Sequence, residues 1–379
     1  MKKDFSHKVK ILGSGPAGAT TARLFAEKGF KVDLYEKREH IAGNCFDKKD
    51  SNGVLIHQYG PHYFRTNSSE LLSWLSQFTE WIPGKYYVQA KVGNKFVPLP
   101  VSLATMEALK NKKFSQESFQ HYLDSQRIHY LHPKNAKEQC LNLVGQELYE
   151  ALFEGYTKKQ WGLSPTELDP SITARIPLRF NHDTRYPQEK FQCMPADGYT
   201  NMFKKILNHP NIKIHLNQKQ DGQQILQERS NYSLTLYTGP IDEFFEYSEG
   251  KLDYRSLKFD WKHYSEDYIQ SSVQINYPND FDYTRSVEIK HISGQKCHGT
   301  TVCYEYPSDK GESFYPVIND PNLKLYKRYQ EKAKALSNQA SPIHFLGRLA
   351  EFKYYNMDQI FLRSMRFAKD QLEIQKLAV

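Results

Sequence analysis

A glycine-rich turn close to the amino terminus constrains the fold of this chain most strongly. The run Gly13-Ser14-Gly15-Pro16-Ala17-Gly18 follows a short apolar strand at residues 9–12 and opens a helical pattern over residues 17–28. In such a unit the first glycine permits a tight turn, the second lets backbone approach a pyrophosphate, and the third lets helix and strand pack closely. The helix start also offers free N–H groups to phosphates. The run therefore predicts a dinucleotide site.

An acidic residue at the end of the next strand supports that interpretation over an ordinary strand–helix turn. Residues 31–35 read as the second strand, and Glu36 stands at its carboxyl end, where it can accept hydrogen bonds from both ribose hydroxyls. The segment from Glu36 to Asn44 resembles the one that follows this acid in flavoproteins of the glutathione-reductase-like class, with Ala42 in place of the first glycine of their Gly-Gly pair. The resemblance favours FAD over NAD.

Composition excludes several classes of protein. No stretch approaches 18 consecutive apolar residues, so we expect no membrane span. The first seven residues lack the apolar core of a secretory signal, and we expect a cytoplasmic protein. The five cysteines are odd in number and have neither zinc-site nor disulfide spacing, so we expect reduced thiols and no metal. The net charge of +8 is spread along the chain, which argues against nucleic acid and suits a polyanionic small ligand.

The remaining patterns predict an α/β fold of several parts. Asn67 and Glu70 resemble a capping box before a helix at 71–78, alternation over 81–100 predicts a hairpin, and helical patterns fill 101–156 with a break near His132-Pro133. Strands are predicted to return beyond Arg175, and those in 254–306 follow in meander-like order. A late strand at 343–346 runs into Gly347-Arg348, and a helix begins around Asn356.

We expect three domains. A discontinuous, Rossmann-like FAD-binding domain would comprise residues 8–80, 192–245 and 340–379. An inserted helical domain would span 101–170, and an antiparallel sheet domain that contributes to the substrate site would comprise 81–100, 171–191 and 246–339.

Seven motifs, standing in order along nearly the whole chain, resemble those of the bacterial UDP-galactopyranose mutases. Each motif alone is modest, but together with the FAD fingerprint they are strong. They are Tyr59-Gly60-Pro61-His62, Gly155-Tyr156-Thr157-Lys158-Lys159-Gln160-Trp161-Gly162, Arg175-Ile176-Pro177-Leu178-Arg179-Phe180, Tyr237-Thr238-Gly239-Pro240-Ile241-Asp242, Tyr283-Thr284-Arg285, Tyr315-Pro316 and Gly347-Arg348-Leu349.

The resemblance implies an FAD enzyme that interconverts the pyranose and furanose rings of a nucleotide-diphosphate sugar. Only reduced flavin works in that family, without net redox change, so an external reductant such as NAD(P)H is needed. Its proposed mechanism has flavin N5 attack the anomeric carbon, and the resulting adduct opens and recloses through another hydroxyl. We expect the product to be a furanose donor for surface polysaccharide and the enzyme to be a homodimer.

The resemblance also implies roles for individual residues. The implied catalytic residues are His62, Arg65, Arg175 and Arg285. The implied cofactor contacts are Gly13, Gly15, Gly18, Glu36, Asn44, His62, Arg348 and Met357. The implied substrate contacts are Phe153, Tyr156, Trp161, Arg175, Tyr186, Arg285, Tyr315, Tyr354 and Asn356, of which Tyr156 would stack on the nucleobase while the arginines and the other tyrosines clamp the diphosphate.

Structural explanations compete with these roles. Without the motifs, any one of the many tyrosines is more often a packing residue than a ligand contact, and Trp161 would be a core or domain-interface residue. His62 alone would be a satisfied structural histidine, and Arg175 with Arg179, four residues apart, could form a solvated helix face.

The chain departs from the family pattern at four places. Arg65 replaces a second histidine, Tyr86 falls near a frequent asparagine, Asn356 replaces an aspartate, and Leu152 replaces an aromatic residue. Arg65 is larger than histidine and always charged, which suggests a sugar related to galactose, such as N-acetylgalactosamine or a 6-deoxy hexose. Two alternatives stay open: a flavin oxidoreductase of the amine-oxidase-like class, and a flavin- or nucleotide-binding protein that has lost catalysis.

Overall fold

The computed structural model describes residues 7–174 and 176–377, which form two large sheets, two small ones and a block of helices. The described strands are β1 (Lys8–Leu12), β2 (Lys31–Tyr35), β3 (Asp47–Lys49), β4 (Leu55–His57), β5 (Phe64–Thr66), β6 (Trp81–Pro83), β7 (Val88–Val92), β8 (Lys95–Leu99), β9 (Phe191–Pro195), β10 (Ile212–His215), β11 (Leu234–Tyr237), β12 (Tyr254–Tyr264), β13 (Gln274–Asn276), β14 (Arg285–Val287), β15 (Thr300–Ser308), β16 (Tyr315–Pro316) and β17 (Ile343–Phe345).

The α-helices in the same residues vary from one turn to six. They are α1 (Pro16–Glu27), α2 (Ser69–Leu75), α3 (Leu103–Lys110), α4 (Gln116–Gln126), α5 (Ala136–Leu148), α6 (Gly155–Trp161), α7 (Ser171–Ala174), α8 (Gly198–Leu207), α9 (Gly222–Glu228), α10 (Ile241–Phe244), α11 (Lys290–Ser293), α12 (Asp320–Ser337) and α13 (Met357–Leu377). A π-helical segment, Tyr149–Glu154, joins α5 to α6, and short 3₁₀ turns lie at Gly43–Cys45 and Arg229–Asn231.

A parallel five-stranded sheet confirms the predicted Rossmann-like α/β fold. Its order is β10-β2-β1-β11-β17, so β1 lies in the centre, and β1 and β11 are buried along nearly their whole length, as strands covered on both faces are. Because the strands are parallel, the loops that follow β1, β2, β11 and β17 converge at one edge of the sheet. That edge opens onto the candidate active site.

The second large sheet has the order β16-β12-β15-β14-β13-β7-β8 and is antiparallel except where β13 runs parallel to β7. The predicted hairpin is present as β7 and β8, but β6 leaves it and pairs with β9, which also pairs with β5. The expected meander holds for β13, β14 and β15, whereas β12 lies beside β15. These pairings join strands far apart in sequence, which no local pattern indicates.

The helical block contains α3 to α6, and the predicted break near His132-Pro133 falls in the loop between α4 and α5. Buried side chains of α4 and α5, such as Phe119 and Leu141, belong to the same apolar cluster as Val9 of β1 and Val97 of β8. The core is therefore continuous from the Rossmann sheet to the helical block. The domain boundaries stay a prediction.

The predicted cap of α2 was wrong by one residue. The Ser68 hydroxyl, not Asn67, accepts the backbone N–H of Leu71 at 3.1 Å. The Asn67 side chain is used elsewhere, because its Oδ1 accepts the backbone N–H of Lys190 at 2.8 Å. In the described part of the chain, we find no helix with the length and apolarity that a bilayer crossing needs.

Candidate active site

One cavity of about 840 Å³ extends from the carboxyl edge of the Rossmann sheet towards the inner face of the seven-stranded sheet. At one end it is lined by the glycine turn, Glu36 and Asn44, and at the other by Arg65, Arg285 and several tyrosines. The cavity therefore joins the predicted cofactor residues to many of the predicted substrate residues.

The glycine turn has the tight geometry that its sequence predicts. Gly13 has φ +102°, and a Cβ there would lie 2.1 Å from the Oγ1 of Thr238. A Cβ on Gly18 would lie 1.9 Å from the carbonyl oxygen of Gly13, so only glycine allows α1 to pack this closely on β1. Among the described residues no side chain caps the start of α1, which leaves its N–H groups to a ligand.

Glu36 is buried and already carries hydrogen bonds from its own neighbourhood. Its Oε2 accepts from the backbone N–H and the hydroxyl of Ser14 at 3.0 and 2.7 Å, and its Oε1 accepts from the N–H of Arg38 at 3.0 Å. Each carboxylate oxygen can accept more than one bond. Glu36 thus keeps capacity for a ribose, which stays a prediction, and Ser14 is a supporting residue that the motif did not reveal.

Next to the glycine turn, a second backbone segment completes the cradle. Ala42 adopts the left-handed conformation with φ +75°, and a Cβ on the following Gly43 would lie 2.8 Å from the Cα of Gly15. The Oδ1 of Asn44 accepts from Arg38 Nη2 at 3.0 Å, and the Arg38 guanidinium lies 4.1 Å from the centre of the Tyr59 ring. Two backbone segments in close contact, a helix start and an arginine stacked on a tyrosine suit an adenine dinucleotide.

His62 lines the middle of the cavity as a neutral imidazole. Its Nδ1 lies 2.9 Å from the carbonyl oxygen of Gly60, to which it can only donate, so Nε2 is left as an acceptor. Burial lowers the pKa of His62 to about 3 and that of the neighbouring His57 to about 3. The ring of His57 accepts the backbone N–H of His62 at 3.0 Å, which fixes the turn.

Arg65 lines the cavity close to His62 and is paired with an acid. Its Nη1 lies 3.3 Å from the carboxylate of Glu189, and both side chains are about a quarter exposed. Glu189 is part of the segment that follows Tyr186 and Pro187, which line the same cavity. The guanidinium therefore retains donors for a ligand after its acid is satisfied.

Arg285 lies at the far end, at the first position of β14. Its Nε is 2.8 Å from Oε2 of Glu305, which is fully buried on the adjacent strand β15. Burial raises the pKa of Glu305, and the guanidinium opposes that rise. Burial also acts to lower the pKa of Arg285, but Glu305 and the neighbouring tyrosines together outweigh it and raise that pKa well above its usual range. A permanently charged arginine thus faces the cavity with a buried carboxylate behind it.

Arg348 supports two of the predicted diphosphate residues rather than standing alone. Its guanidinium lies 5.1 Å from the ring centres of both Tyr315 and Tyr354, whose rings are stacked 5.8 Å apart. Its Nη2 donates to the carbonyl oxygen of Tyr355 at 2.8 Å. Cation–π contact of this kind fixes the two rings in the cavity wall.

Tyrosines that the sequence did not single out as ligand contacts form another part of the wall. Tyr86 is buried, packs against the ring of Tyr63 at 4.9 Å, and donates to Gln274 Oε1 at 2.8 Å. Both Tyr86 and Gln274 line the cavity beside Arg285 and Tyr186. Tyr86, noted above as a departure, therefore shapes the space in which a sugar would lie.

Three predicted substrate contacts that the structure describes do not line this cavity: Phe153, Tyr156 and Trp161. Tyr156 on α6 is half-buried near Arg285. Burial raises the pKa of Tyr156 to about 12, although the charge of Arg285 opposes that rise. Trp161 is buried against Ala136, Leu168 and Val317, and Phe153 packs on the main core. Arg175 lies outside the described residues. The ligand roles of these four stay predictions.

The other predicted contacts lie in the wall of the cavity except Gly18, which packs α1 against the glycine turn instead. Asn356 and Met357, the residue that begins α13, are both there, as are Tyr186, Tyr315 and Tyr354. Glu305 is the main residue that sequence reasoning missed. Its only signal was a charge between Tyr304 and Tyr306 in an otherwise uncharged strand, facing opposite to both of them.

Comparisons with known proteins show which family this chain resembles. A family model described as UDP-galactopyranose mutase matches residues 151–354, and one described as an NAD(P)-binding Rossmann-like domain matches residues 11–78. The chain is 36% identical to a probable UDP-galactopyranose mutase of Klebsiella pneumoniae, covering 96% of this chain and 94% of the relative. It is 37% identical to a dTDP-fucopyranose mutase of Escherichia coli, covering 93% and 95%.

Solved structures extend the comparison to the fold. A crystal structure of reduced UDP-galactopyranose mutase superposes with a TM-score of 0.74 at 16% identity, over 97% of this chain and 96% of the other. A putrescine oxidase superposes with a TM-score of 0.59 at 11% identity, over 97% and 99%. At these identities both likenesses concern the fold alone.

Proposed function

Because the chain belongs to the UDP-galactopyranose mutase family, and is thus a sugar mutase of the isomerase class, we propose that it interconverts the pyranose and furanose forms of a nucleotide-diphosphate sugar. The observation that supports the proposal is the continuous cavity, which joins a dinucleotide cradle to a wall of arginine and tyrosine side chains. Such a wall suits a diphosphate and a sugar.

FAD is the cofactor that the cradle fits. The close approach of Gly43 to Gly15, the uncapped start of α1 and the carboxylate of Glu36 would hold its adenosine and pyrophosphate. In its reduced form FAD supplies the nucleophile for the anomeric carbon of the sugar. We propose that an external reductant such as NAD(P)H keeps it reduced and that the protein acts as a homodimer.

The chain's own groups would bind and orient the substrate. Arg285 offers a planar, permanently charged group to the diphosphate, and Glu305 holds that group in place from behind. Tyr315 and Tyr354 offer hydroxyl groups without adding charge, and Arg348 fixes their rings. Together they would neutralise and hold the nucleotide diphosphate after it leaves the sugar.

His62 would act without a charge at neutral pH. Burial holds the pKa of His62 far below 7, and its Nδ1–H donates to the carbonyl oxygen of Gly60. Nε2 can therefore accept a hydrogen bond, and the ring brings no positive charge to the cavity. We propose that it orients a sugar hydroxyl or the cofactor from that nitrogen.

We further propose that the sugar is galactose or a close relative such as N-acetylgalactosamine or a 6-deoxy hexose. The chain is about equally identical to a mutase named for UDP-galactose and to one named for dTDP-fucose, so identity alone does not choose between them. Arg65 supports a relative, because it lines the same cavity as His62 and carries donors that Glu189 does not use.

An Arg65→His variant tests this choice of sugar. We expect the ratio of kcat/KM between UDP-N-acetylgalactosamine and UDP-galactose to change by about tenfold, since one hydrogen bond to a charged group is gained or lost. Arg185→His is a matched control, because Arg185 is exposed and already donates two hydrogen bonds to the carboxylate of Asp183. An unchanged ratio in Arg65→His would remove Arg65 from the specificity residues.

The function itself is tested with the purified, dithionite-reduced protein. UDP-galactose, UDP-N-acetylgalactosamine and dTDP-fucose are supplied in turn without oxygen, and furanose products are separated by chromatography. We expect a furanose from at least one of the three. Tight UDP binding without any furanose product would instead favour a protein that has lost catalysis.

A further inference from the structure

Lys159 on α6 places its ammonium group among backbone carbonyl oxygens of a single loop. Its Nζ donates to the carbonyl oxygens of Tyr277, Asp280, Phe281 and Tyr283, the last three at 2.9, 3.1 and 3.2 Å. An ammonium has three protons, so four acceptors satisfy it fully and at least one proton is shared. A lysine that only solubilises a helix face would extend into water instead.

The loop that carries these carbonyls is the 277–284 connection between β13 and β14. It closes on itself through the N–H of Tyr277, which donates to the carbonyl oxygen of Thr284 at 2.8 Å. The next residue, Arg285, begins β14 and pairs with Glu305. The 277–284 loop therefore fixes where β14, and with it Arg285, begins.

Independent contacts hold the same loop against α6. Gly155 begins that helix, and a Cβ there would lie 2.4 Å from both the Asn279 Oδ1 and the Pro278 carbonyl oxygen. The Asn279 side chain donates to the carbonyl oxygens of Glu150 and Ala151 at 3.2 and 3.3 Å, in the π-helical segment before α6. Gly155 thus permits α6 to lie close to the 277–284 loop, and the Lys159 ammonium holds the two together.

Two elements with different predicted ligand contacts meet at this point. Helix α6 carries Tyr156, predicted to stack on the nucleobase, and the loop leads into Arg285, predicted to bind the diphosphate. We infer that Lys159 is a positioning residue that sets the separation of these two contacts and so the fit of the nucleotide. The inference rests on the proposed function, because it assumes a nucleotide between the two elements.

The charged groups around the ammonium are consistent with a fixed cation. Asp280 and Asp282 of the same loop both favour its charged form, against desolvation by burial, which is larger and lowers the pKa of Lys159. Asp280 also lies 3.5 Å from Lys91 Nζ on β7, so its charge is shared. The backbone carbonyls, rather than a single carboxylate, therefore define the position of the ammonium.

A Lys159→Met variant of the FAD-loaded protein removes the donors but keeps the length of the side chain. We expect the Kd for UDP, measured by calorimetry, and the KM for the nucleotide sugar to rise about tenfold, with little change in kcat or in flavin content. Lys158→Met is the matched control, because Lys158 is the neighbouring residue, more than half exposed, and pairs on the helix surface with Glu154 at 2.8 Å. The control should bind UDP as the wild type does.

Chemical rescue separates positioning from a general loss of structure. In Lys159→Ala the carbonyl oxygens would face a space open to a small cation. Methylammonium should restore most of the lost UDP affinity, whereas tetramethylammonium, which has no N–H groups, at the same concentration should not. Neither salt should improve the wild type.

The outcomes separate this inference from the proposed function. UDP affinity of Lys159→Met equal to that of the wild type, or equal effects of the two ammonium salts on Lys159→Ala, would overturn the positioning role. Loss of flavin from both variants without recovery in methylammonium would also overturn it, since Lys159 would then serve folding alone. If the wild type binds UDP but forms no furanose, the proposed function is contradicted. The UDP affinities of the variants still decide the role of Lys159 in that case.

Discussion

At the scale of single residues, Arg285 and Glu305 oppose each other in nucleotide binding. The fully buried carboxylate compensates the guanidinium 2.8 Å away in the free protein, but it also repels a diphosphate that approaches the same group. Removing its charge leaves a partly buried arginine without a counter-ion, which costs about 3 kcal/mol. A bound diphosphate would replace that counter-ion.

A Glu305→Gln variant is therefore expected to be less stable by about 3 kcal/mol without ligand and to bind UDP roughly tenfold more tightly. Urea unfolding and calorimetry measure the two effects. Glu288→Gln, a fully buried acid of the same sheet region that pairs with His291, should lose stability without a change in UDP affinity. Weaker UDP binding by Glu305→Gln would show that the carboxylate mainly orients Arg285.

The buried histidines give the fold a defined dependence on pH. Burial lowers the pKa of the His57 imidazole to about 3, whereas a histidine in the unfolded chain has a pKa of about 6.5. Below pH ~6.5 His57 takes up a proton in the unfolded chain but not in the folded one. The contribution of neutral His57 to the free energy of unfolding is therefore fully present above pH ~6.5 and is lost as the pH falls towards ~3.

Between pH 7 and pH 5, His57 alone should lower the free energy of unfolding of the wild type by about 2 kcal/mol. His57→Asn, whose amide oxygen can still accept the N–H of His62, should remove that part of the loss. Exposed His129→Asn serves as the control. Urea unfolding at the two pH values measures the difference, and equal losses in wild type and His57→Asn would contradict the assignment.

At the scale of elements, the approach of α1 to β1 depends on one glycine. In Gly18→Ala the new methyl would lie 1.9 Å from the Gly13 carbonyl oxygen, so helix and turn must separate. Overpacking of this kind costs about 1–3 kcal/mol. We expect FAD to bind roughly tenfold more weakly, as flavin absorbance after dialysis would reveal.

Gly84→Ala is a matched control for that variant. A methyl there would come no closer than 3.7 Å to Ile292, so flavin content should stay at the wild-type level. A Gly18→Ala protein that retains its flavin like this control would show that the site tolerates a larger separation between α1 and the glycine turn.

Elements encoded by neighbouring residues were predictable, and those encoded by distant ones were not. The glycine turn, α1 and β2 follow from spacing alone, and they were predicted within a few residues. The parallel pairing of β13 with β7 and the departure of β6 to β9 join segments far apart in sequence. Capping was also misjudged, since Ser68 and Asn67 both have suitable side chains and only the contact to Lys190 distinguishes them.

At the scale of the whole molecule, segments that lie far apart along the chain build the candidate site. The cavity wall takes residues from the amino-terminal turn, from the strand that begins at Arg285 and from the carboxyl-terminal segment around Tyr354. Motifs with chemically distinctive residues, such as Arg285, could be found by resemblance. The carbonyl contacts of Lys159 could not, because backbone oxygens have no signature in the sequence, and the lone charge of Glu305 in its strand does not reveal that its partner is Arg285.

The most direct test of the central claim compares the reduced and the oxidised protein. The sugar nucleotide that reacts best is supplied to both without oxygen, and furanose formation and consumption of an electron acceptor are followed together. The account predicts that furanose forms only after the flavin is reduced and that no acceptor is consumed per turnover. Equal rates with oxidised flavin, or one acceptor consumed for each sugar converted, would contradict it.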